Sequence, residues 1–279
     1  MKKKFGNLSA KLGAVANRTY TRVQAMEDKM RTLVFVVTLA FLPMFGTANA
    51  EILFVDDFEQ DDIGKEPSNW EHLNFNSGNS KIIVEKDPTD PQNKAAKTTG
   101  IGLYIPIADG REEWRDYIWD FDWLWENDSF VGTIYRVEGG LKGAESHFHG
   151  SRRTGAVNIQ IYTRKAGGWA LLGTGQFPNE NNVWYTHRLV MKGGQHQIYL
   201  RKREKELPPA DWHLNEKPIV EVDNDTFKTG PVGMMGITGG VSYFDNMVVV
   251  GSITDIDKVR PVSPRLKLAA TWGAIKNRF

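Results

Sequence analysis

The chain has 279 residues, no cysteine, a formal net charge of +1, and charged residues at 25%. The absence of cysteine excludes disulfides, thiolate metal sites, thiol catalysis and a lipid-anchored cysteine after a signal. Residues 1–50 alone carry +6, leaving about −5 for the remainder, which argues against a nucleic-acid binder with its basic face.

Residues 1–29 form a basic leader with Lys2, Lys3, Lys4, Lys11, Arg18, Arg22 and Lys29. Met30 offers an alternative start, in which case the leader is an overcalled gene start. Residues 30–50 read as a secretory signal. Arg31 supplies the positive n-region, Leu33 to Phe45 the apolar core, and Ala48-Asn49-Ala50 the cleavage site. The apolar run is shorter than the roughly 20 residues of a membrane-spanning helix. The expectation is a secreted or periplasmic protein with no transmembrane span in its mature chain.

From residue 51 to 251 short alternating segments are punctuated by Gly, Asn, Asp and Pro, the pattern of an antiparallel all-β sandwich. Strands are expected at 52–58, 81–87, 101–108, along the aromatic stretch 114–127, and at 130–140 and 156–169. They continue at 169–177, 183–194, 197–205, 219–225, 230–239 and 241–250. Residues 61–70 read as a turn-rich loop ending in a buried Trp70, and 87–96 as a polar loop. Residues 141–155 read as an inserted surface loop between neighbouring strands, and 205–218 as a Pro-rich loop. Lys192-Gly193-Gly194 marks a hairpin, its glycines supplying positive φ. No segment keeps helical periodicity over three turns. Residues 252–279 form a linker and a short helix or tail. There Leu268, Trp272, Ile275 and Phe279 fall at helical spacing, for contact with a protein or a membrane surface or for packing on the chain's own domain.

The segments "VDDFEQDDIGKEPSNW", "NDSFVGTIYR", "NNVWYTHRLVMKGGQHQIYL" and "TGPVGMMGITGGVSYFDNMVVV" span nearly all of 52–250. In order and spacing they resemble the concanavalin A-like lectin/glucanase superfamily, nearest its laminin-G-like and 3-keto-disaccharide hydrolase-like domains. The resemblance implies a two-sheet antiparallel jelly-roll β-sandwich whose concave face holds a sugar. First and last strands commonly pair in such a sandwich, which brings Asp56 and Asp57 near Asp245. Related sandwiches often carry a structural calcium ion, for which Asp57 and Asp245, with Asp56, are the candidate ligands. The plainer alternative is that Asp245 caps a turn.

The aromatic strand offers a choice. Asp120 and Asp122 share a face about 7 Å apart by the two-residue strand repeat, a spacing compatible with the carboxyl pair of a glycosidase. The glucanase pattern Glu-x-Asp-x-Glu is not met, because Leu124 stands where its acid belongs. One reading makes Asp120 and Asp122 catalytic. The preferred reading packs Trp119, Phe121, Trp123 and Trp125 into the core and turns the aspartates to solvent. A third makes the Asp face a sugar groove with Arg136 and Gln160 on neighbouring strands and Tyr162 and Trp184 as stacking rings. His147 and His149 are two apart beside Glu145, but without a third ligand they read as part of a solvated loop. The other histidines, His72, His187, His196 and His213, carry no pattern. The main functional expectation is an exported module that binds a polysaccharide or glycan. The alternatives are a glycoside-cleaving enzyme of the 3-keto-disaccharide hydrolase-like type and an adhesion protein docking through its tail.

Overall fold

Fifteen strands account for nearly all regular structure in the computed structural model, which describes residues 52–73, 81–127, 131–139, 146–155, 157–204, 210–236 and 239–251. The leader, export signal and tail expected at 1–29, 30–50 and 252–279 lie outside the described residues. In chain order the strands are β1 (Ile52–Asp56), β2 (Trp70–Leu73), β3 (Ile82–Lys86), β4 (Lys94–Thr99), β5 (Gly102–Pro106), β6 (Tyr117–Trp125), β7 (Val131–Glu138) and β8 (His147–Thr154). There follow β9 (Asn158–Lys165), β10 (Gly168–Gln176), β11 (Trp184–Lys192), β12 (Gln195–Lys202), β13 (Val220–Asp223), β14 (Gly233–Gly236) and β15 (Val241–Val250). The described helical residues are two short 3-10 turns, Arg111–Glu113 and Trp212–Asn215. No described helix is long and apolar enough to cross a membrane.

All pairings are antiparallel. The first sheet runs β13-β12-β11-β6-β15-β4-β3, with β1 also on β15; the second runs β10-β9-β8-β7-β14-β5-β2. The two-sheet antiparallel jelly-roll sandwich expected from the sequence is therefore the architecture, and the first and last strands pair, Asp56 opposite Met247.

The core is dictated by β6. Its odd-numbered side chains Tyr117, Trp119, Phe121, Trp123 and Trp125 point between the sheets, where they meet Phe244 of β15 and residues of the second sheet such as Tyr135, Ile159 and Ile161. Trp123 stacks on Phe244 at 5.4 Å and contacts Trp125 at 4.9 Å between ring centroids. Rings this large bury much apolar area, and their offset contacts add to it. Two bulges re-aim the flanking strands. Asn246 takes φ 52° and Arg136 φ 48°, each beside a register shift. After the first, Met247 and Val249 turn inward while Val248 and Val250 turn outward. After the second, Val137 joins the outer apolar cluster. An extra residue in one strand shifts the period-two alternation in this way.

Three expectations are corrected. Residues 141–155 are not one surface loop: β8 occupies 147–154 and separates β7 from β9 in the sheet. The strand was hidden because its inward row is polar. Ser151 Oγ lies 2.7 Å from Thr133 Oγ1, and Arg153 donates to Asn179 Oδ1 (2.5 Å), Asn181 Oδ1 (2.9 Å) and the Asn127 carbonyl (2.7 Å). The polar loop at 87–96 ends in β4, whose Lys and Ala residues have low strand propensity; it is pinned between β3 and β15 and by Thr98 Oγ1 against Ser242 Oγ at 2.9 Å. The Pro-rich loop carries the turn Trp212–Asn215, whose Trp212 and His213 are buried.

Candidate functional site

The aspartates of β6 point away from the core, as the alternation requires, but not into solvent. Asp120 is 5% exposed and Asp122 2%. Arg188, opposite Asp120 on β11, grips both of its carboxylate oxygens, Nε to Oδ1 at 2.7 Å and Nη2 to Oδ2 at 2.6 Å. Arg188 Nη1 also reaches the Ala210 carbonyl and, at 2.7 Å, His213 Nδ1. Trp212 stacks over the guanidinium at 5.2 Å. Asp122 accepts from Thr186 Oγ1 and Asn246 Nδ2, both at 2.8 Å, and Arg203 Nε lies 3.5 Å away. Arg203, Ala210, Trp212 and His213 thus cover what strand alternation alone turns toward solvent. Trp184 is buried in the same layer, its Nε1 donating to Asp87 Oδ1 and Thr89 Oγ1 at 3.1 Å. These carboxylates are engaged by protein donors. The layer is a buried polar network, and neither Asp is placed to exchange a proton with an outside substrate.

Arg136 and Gln160 do not neighbour the aspartates, because they belong to the second sheet while β6 is flanked by β11 and β15. Arg136 sits at its bulge, donating to the Phe227 carbonyl (3.1 Å) and the Arg115 carbonyl (2.9 Å). The six sugar-site candidates are therefore split: Asp120, Asp122 and Trp184 on the outer layer of one sheet, Gln160 and Tyr162 on the outward face of the other, Arg136 between strand and loop.

Asp57 directly follows β1 and Asp245 lies on β15, and their partners are N–H groups. Asp57 Oδ1 accepts from the Glu59 amide at 3.2 Å. Asp245 accepts from Asn93 Nδ2 (2.9 Å) and from the backbone and side-chain N–H groups of Asn246, with Arg203 Nη1 at 3.9 Å. Asp56 accepts from Trp70 Nε1 and the Phe58 amide, both at 2.9 Å, and burial raises its pKa to about 6. Calcium needs six to eight oxygens facing the ion; these carboxylates are instead met by hydrogens. Among the described residues no group of three or more His, Asp or Glu is arranged to hold a metal. The donor set does not fit a calcium ion.

The histidines are not in a solvated loop. His149, on β8, is fully buried and meets His196 of β12 across the sandwich at 4.6 Å between centroids. His196 Nε2 donates to the Asn224 carbonyl at 2.8 Å, and in the neutral ring that burial favours its Nδ1 accepts from Tyr135 Oη at 3.1 Å. Burial lowers the pKa of His149 to about 3 and of His196 to about 4.

The outward face of β8, β9 and β10 is different in kind. Ladder partners share a face, so Arg152, Gln160, Tyr162, Arg164, Trp169 and Leu171 all lie on it. Trp169 is 48% exposed and Leu171 56%. The Trp169 ring stands 5.1 Å from Tyr162 and 5.8 Å from Phe148. Arg164 lies over Trp169 at 4.6 Å and Arg152 over Tyr162 at 5.3 Å. Arg152 Nε donates to Gln160 Oε1 at 2.9 Å, and Arg164 Nε to Ser146 Oγ at 2.6 Å. Gly150 makes room for this surface: a Cβ there would collide with the Tyr162 hydroxyl and the Thr133 carbonyl. The sequence reading found Gln160 and Tyr162 but missed Arg152, Arg164, Trp169 and Leu171. The signal was the turn Ala166-Gly167, both at positive φ, the requirement of a two-residue hairpin. It fixes Lys165 opposite Gly168 and hence Arg164 opposite Trp169.

No protein-family model matches the chain, and no curated protein matches it in sequence. Among solved structures, one similar chain is the carbohydrate-binding module CBM66 from Bacillus subtilis, with 11% identity and a TM-score of 0.45, covering 65% of this chain and 94% of that one. A protein of unknown function with a galectin-like fold, also from Bacillus subtilis, has 12% identity and a TM-score of 0.47, covering 71% and 95%. Domain 4 of AbnA, a GH43 extracellular arabinanase from Geobacillus stearothermophilus, in complex with arabinotriose, has 10% identity and a TM-score of 0.46, covering 78% and 96%. The jelly-roll assignment rests on this chain's own sheets and pairings.

Proposed function

We propose that the chain is an exported carbohydrate-binding module that holds a polysaccharide or glycan on the outward face of β8, β9 and β10. The observation that carries this is Trp169, a half-exposed indole braced by Tyr162 and Arg164 rather than packed away. A sugar ring has an apolar C–H face and a rim of hydroxyls. Trp169 and Leu171 offer the matching flat apolar surface, and the half-buried Arg152 and Gln160 the polar groups around it. Large exposed aromatics rimmed by polar groups mark interaction sites. Export rests on the signal-like segment 30–50. The kinship read from the sequence, with the laminin-G-like and 3-keto-disaccharide hydrolase-like branch of the concanavalin A-like superfamily, belongs to the same proposal and is supported by the β1–β15 pairing. The glycoside-cleaving alternative loses its carboxylates to the Arg188 and Asn246 bonds.

A glycan array probed with the full chain should give retained sugars, with no release of reducing ends. Trp169→Ala should weaken the retained sugar about tenfold, roughly 1.4 kcal/mol of lost stacking area, with an unchanged melting temperature. A blank array, or binding indifferent to Trp169→Ala, would refute the reading.

A further inference from the structure

We infer that two copies of this chain pair antiparallel along the open edge of β10, residue 170 of one opposite residue 170 of the other, and so join their outward faces into one. Five strands have a single neighbour among the described pairings: β1, β2, β3, β10 and β13. Such edges are templates for pairing with another chain, and charged side chains or prolines normally block it. β1 carries Asp56, β2 Glu71, β3 Glu85 and Lys86, and β13 Glu221 and Asp223. β10, "GWALLGTGQ", carries neither a charge nor a proline, and it is the longest of the five. Four successive residues, Gly168 to Leu171, are exposed, so the strand is bare on both faces there. The register shift in β10 follows them, between Leu171 and Gly173, and leaves this stretch a regular edge.

The register favours a second copy as the occupant. The two-residue hairpin closes on the pair Lys165 and Gly168, so Gly168 and Ala170 bond to β9, and the N–H and C=O groups of Trp169 and Leu171 point to the open edge. A two-fold axis at Ala170 sets Trp169 opposite Leu171 of the second copy, and the two exchange backbone hydrogen bonds. Indole then lies beside leucine on one face, an aromatic–aliphatic cross-strand pair, and alanine lies against alanine on the other. A charged strand would meet its own charges under this symmetry; β10 has none to repel. The axis is perpendicular to the sheet, so both Trp169 rings stand on the same outward face.

Cross-linking tests the pairing. The chain has no cysteine, so a single introduced cysteine forms a disulfide only between copies. Residue 170 and its mate exchange no hydrogen bond, which puts their Cα atoms about 4.5 Å apart, within disulfide range. Ala170→Cys should oxidise to a covalent dimer. Thr174→Cys, equally exposed but far from its own mate in this register, should not. Light scattering of the unmodified full chain should give twice the mass of one chain. Ala170→Lys, which opposes two like charges across the axis, should return it to the mass of one chain with an unchanged melting temperature, because the side chain is exposed. A one-chain mass for the wild type at the highest concentration that stays in solution would overturn the inference. So would a dimer that survives Ala170→Lys or cross-links equally through residue 174, because the interface would then lie elsewhere. The glycan array tests the carbohydrate reading separately, so either can fail alone.

Discussion

At the scale of single residues, Arg188 decides the fate of the aspartate row. It holds Asp120 through two bonds, under Trp212, at a site closed to water. A buried pair of this kind contributes little against a well-packed apolar replacement, but breaking one side strands the other charge, at about 3–5 kcal/mol. Asp120→Asn should therefore lower stability by several kcal/mol in urea denaturation, whereas Asp120→Leu with Arg188→Met should cost far less. Equal losses in the two would contradict this account of the pair. The outward direction of Asp120 was legible in the sequence, since strand alternation dictates it. Its burial was not, because the cover comes from Ala210, Trp212 and His213, some 90 residues away in a segment that reads as a loop.

Strand β8 shows how far element-level patterning reaches. "HFHGSRRT" has no alternating aliphatic row, because its inward positions His149, Ser151 and Arg153 are polar and find buried partners on other strands. Helical and strand periodicity is read from apolar rows, so this strand reads as a loop, while β6, with five aromatics on one side, is plain. The hairpin from β9 to β10 carried its own register in the Ala166-Gly167 turn, which is why half of the binding face was readable in principle. Gly150 couples β8 to the ring of Tyr162 on β9. Gly150→Ala should force Tyr162 and the adjoining strand apart, destabilising by about 1–3 kcal/mol as overpacking does. It should weaken glycan binding as well, because Tyr162 supports Trp169. A variant with wild-type stability and affinity, measured by denaturation and on the array, would show that the close approach is not tight.

For the whole molecule, the interior titrates against the fold. His149 and His187 have pKa values lowered by burial to about 3 and His196 to about 4, below the usual value near 6.5. Between those limits the unfolded chain binds more protons than the native one, so stability falls as the pH drops from about 6.5 toward 4. Asp56 acts oppositely. Its pKa is raised to about 6, so over roughly pH 4–6 the native state binds the extra proton and Asp56 adds stability as the pH falls. One carboxyl against three imidazoles leaves a net loss of roughly 3 kcal/mol per pH unit at its steepest. Melting temperature should therefore drop progressively between pH 6.5 and 4.5, and a flat profile would contradict neutral burial of these rings. The sandwich itself was legible at this scale from strand spacing and the β6 aromatics. The polar interior was not, because His149 and His196 are brought together only when the two sheets close.

The central claim concerns one face of one sheet, and oxidative footprinting reads it directly. Among the described tryptophans Trp169 is the exposed one, the others being buried. Hydroxyl-radical labelling of the full chain, with and without a glycan retained on the array, followed by mass spectrometry of the peptides, should show protection at Trp169 and Leu171. Protection confined to another surface, such as the loop around Ile107 and Arg111, with Trp169 labelled equally in both samples, would contradict the account.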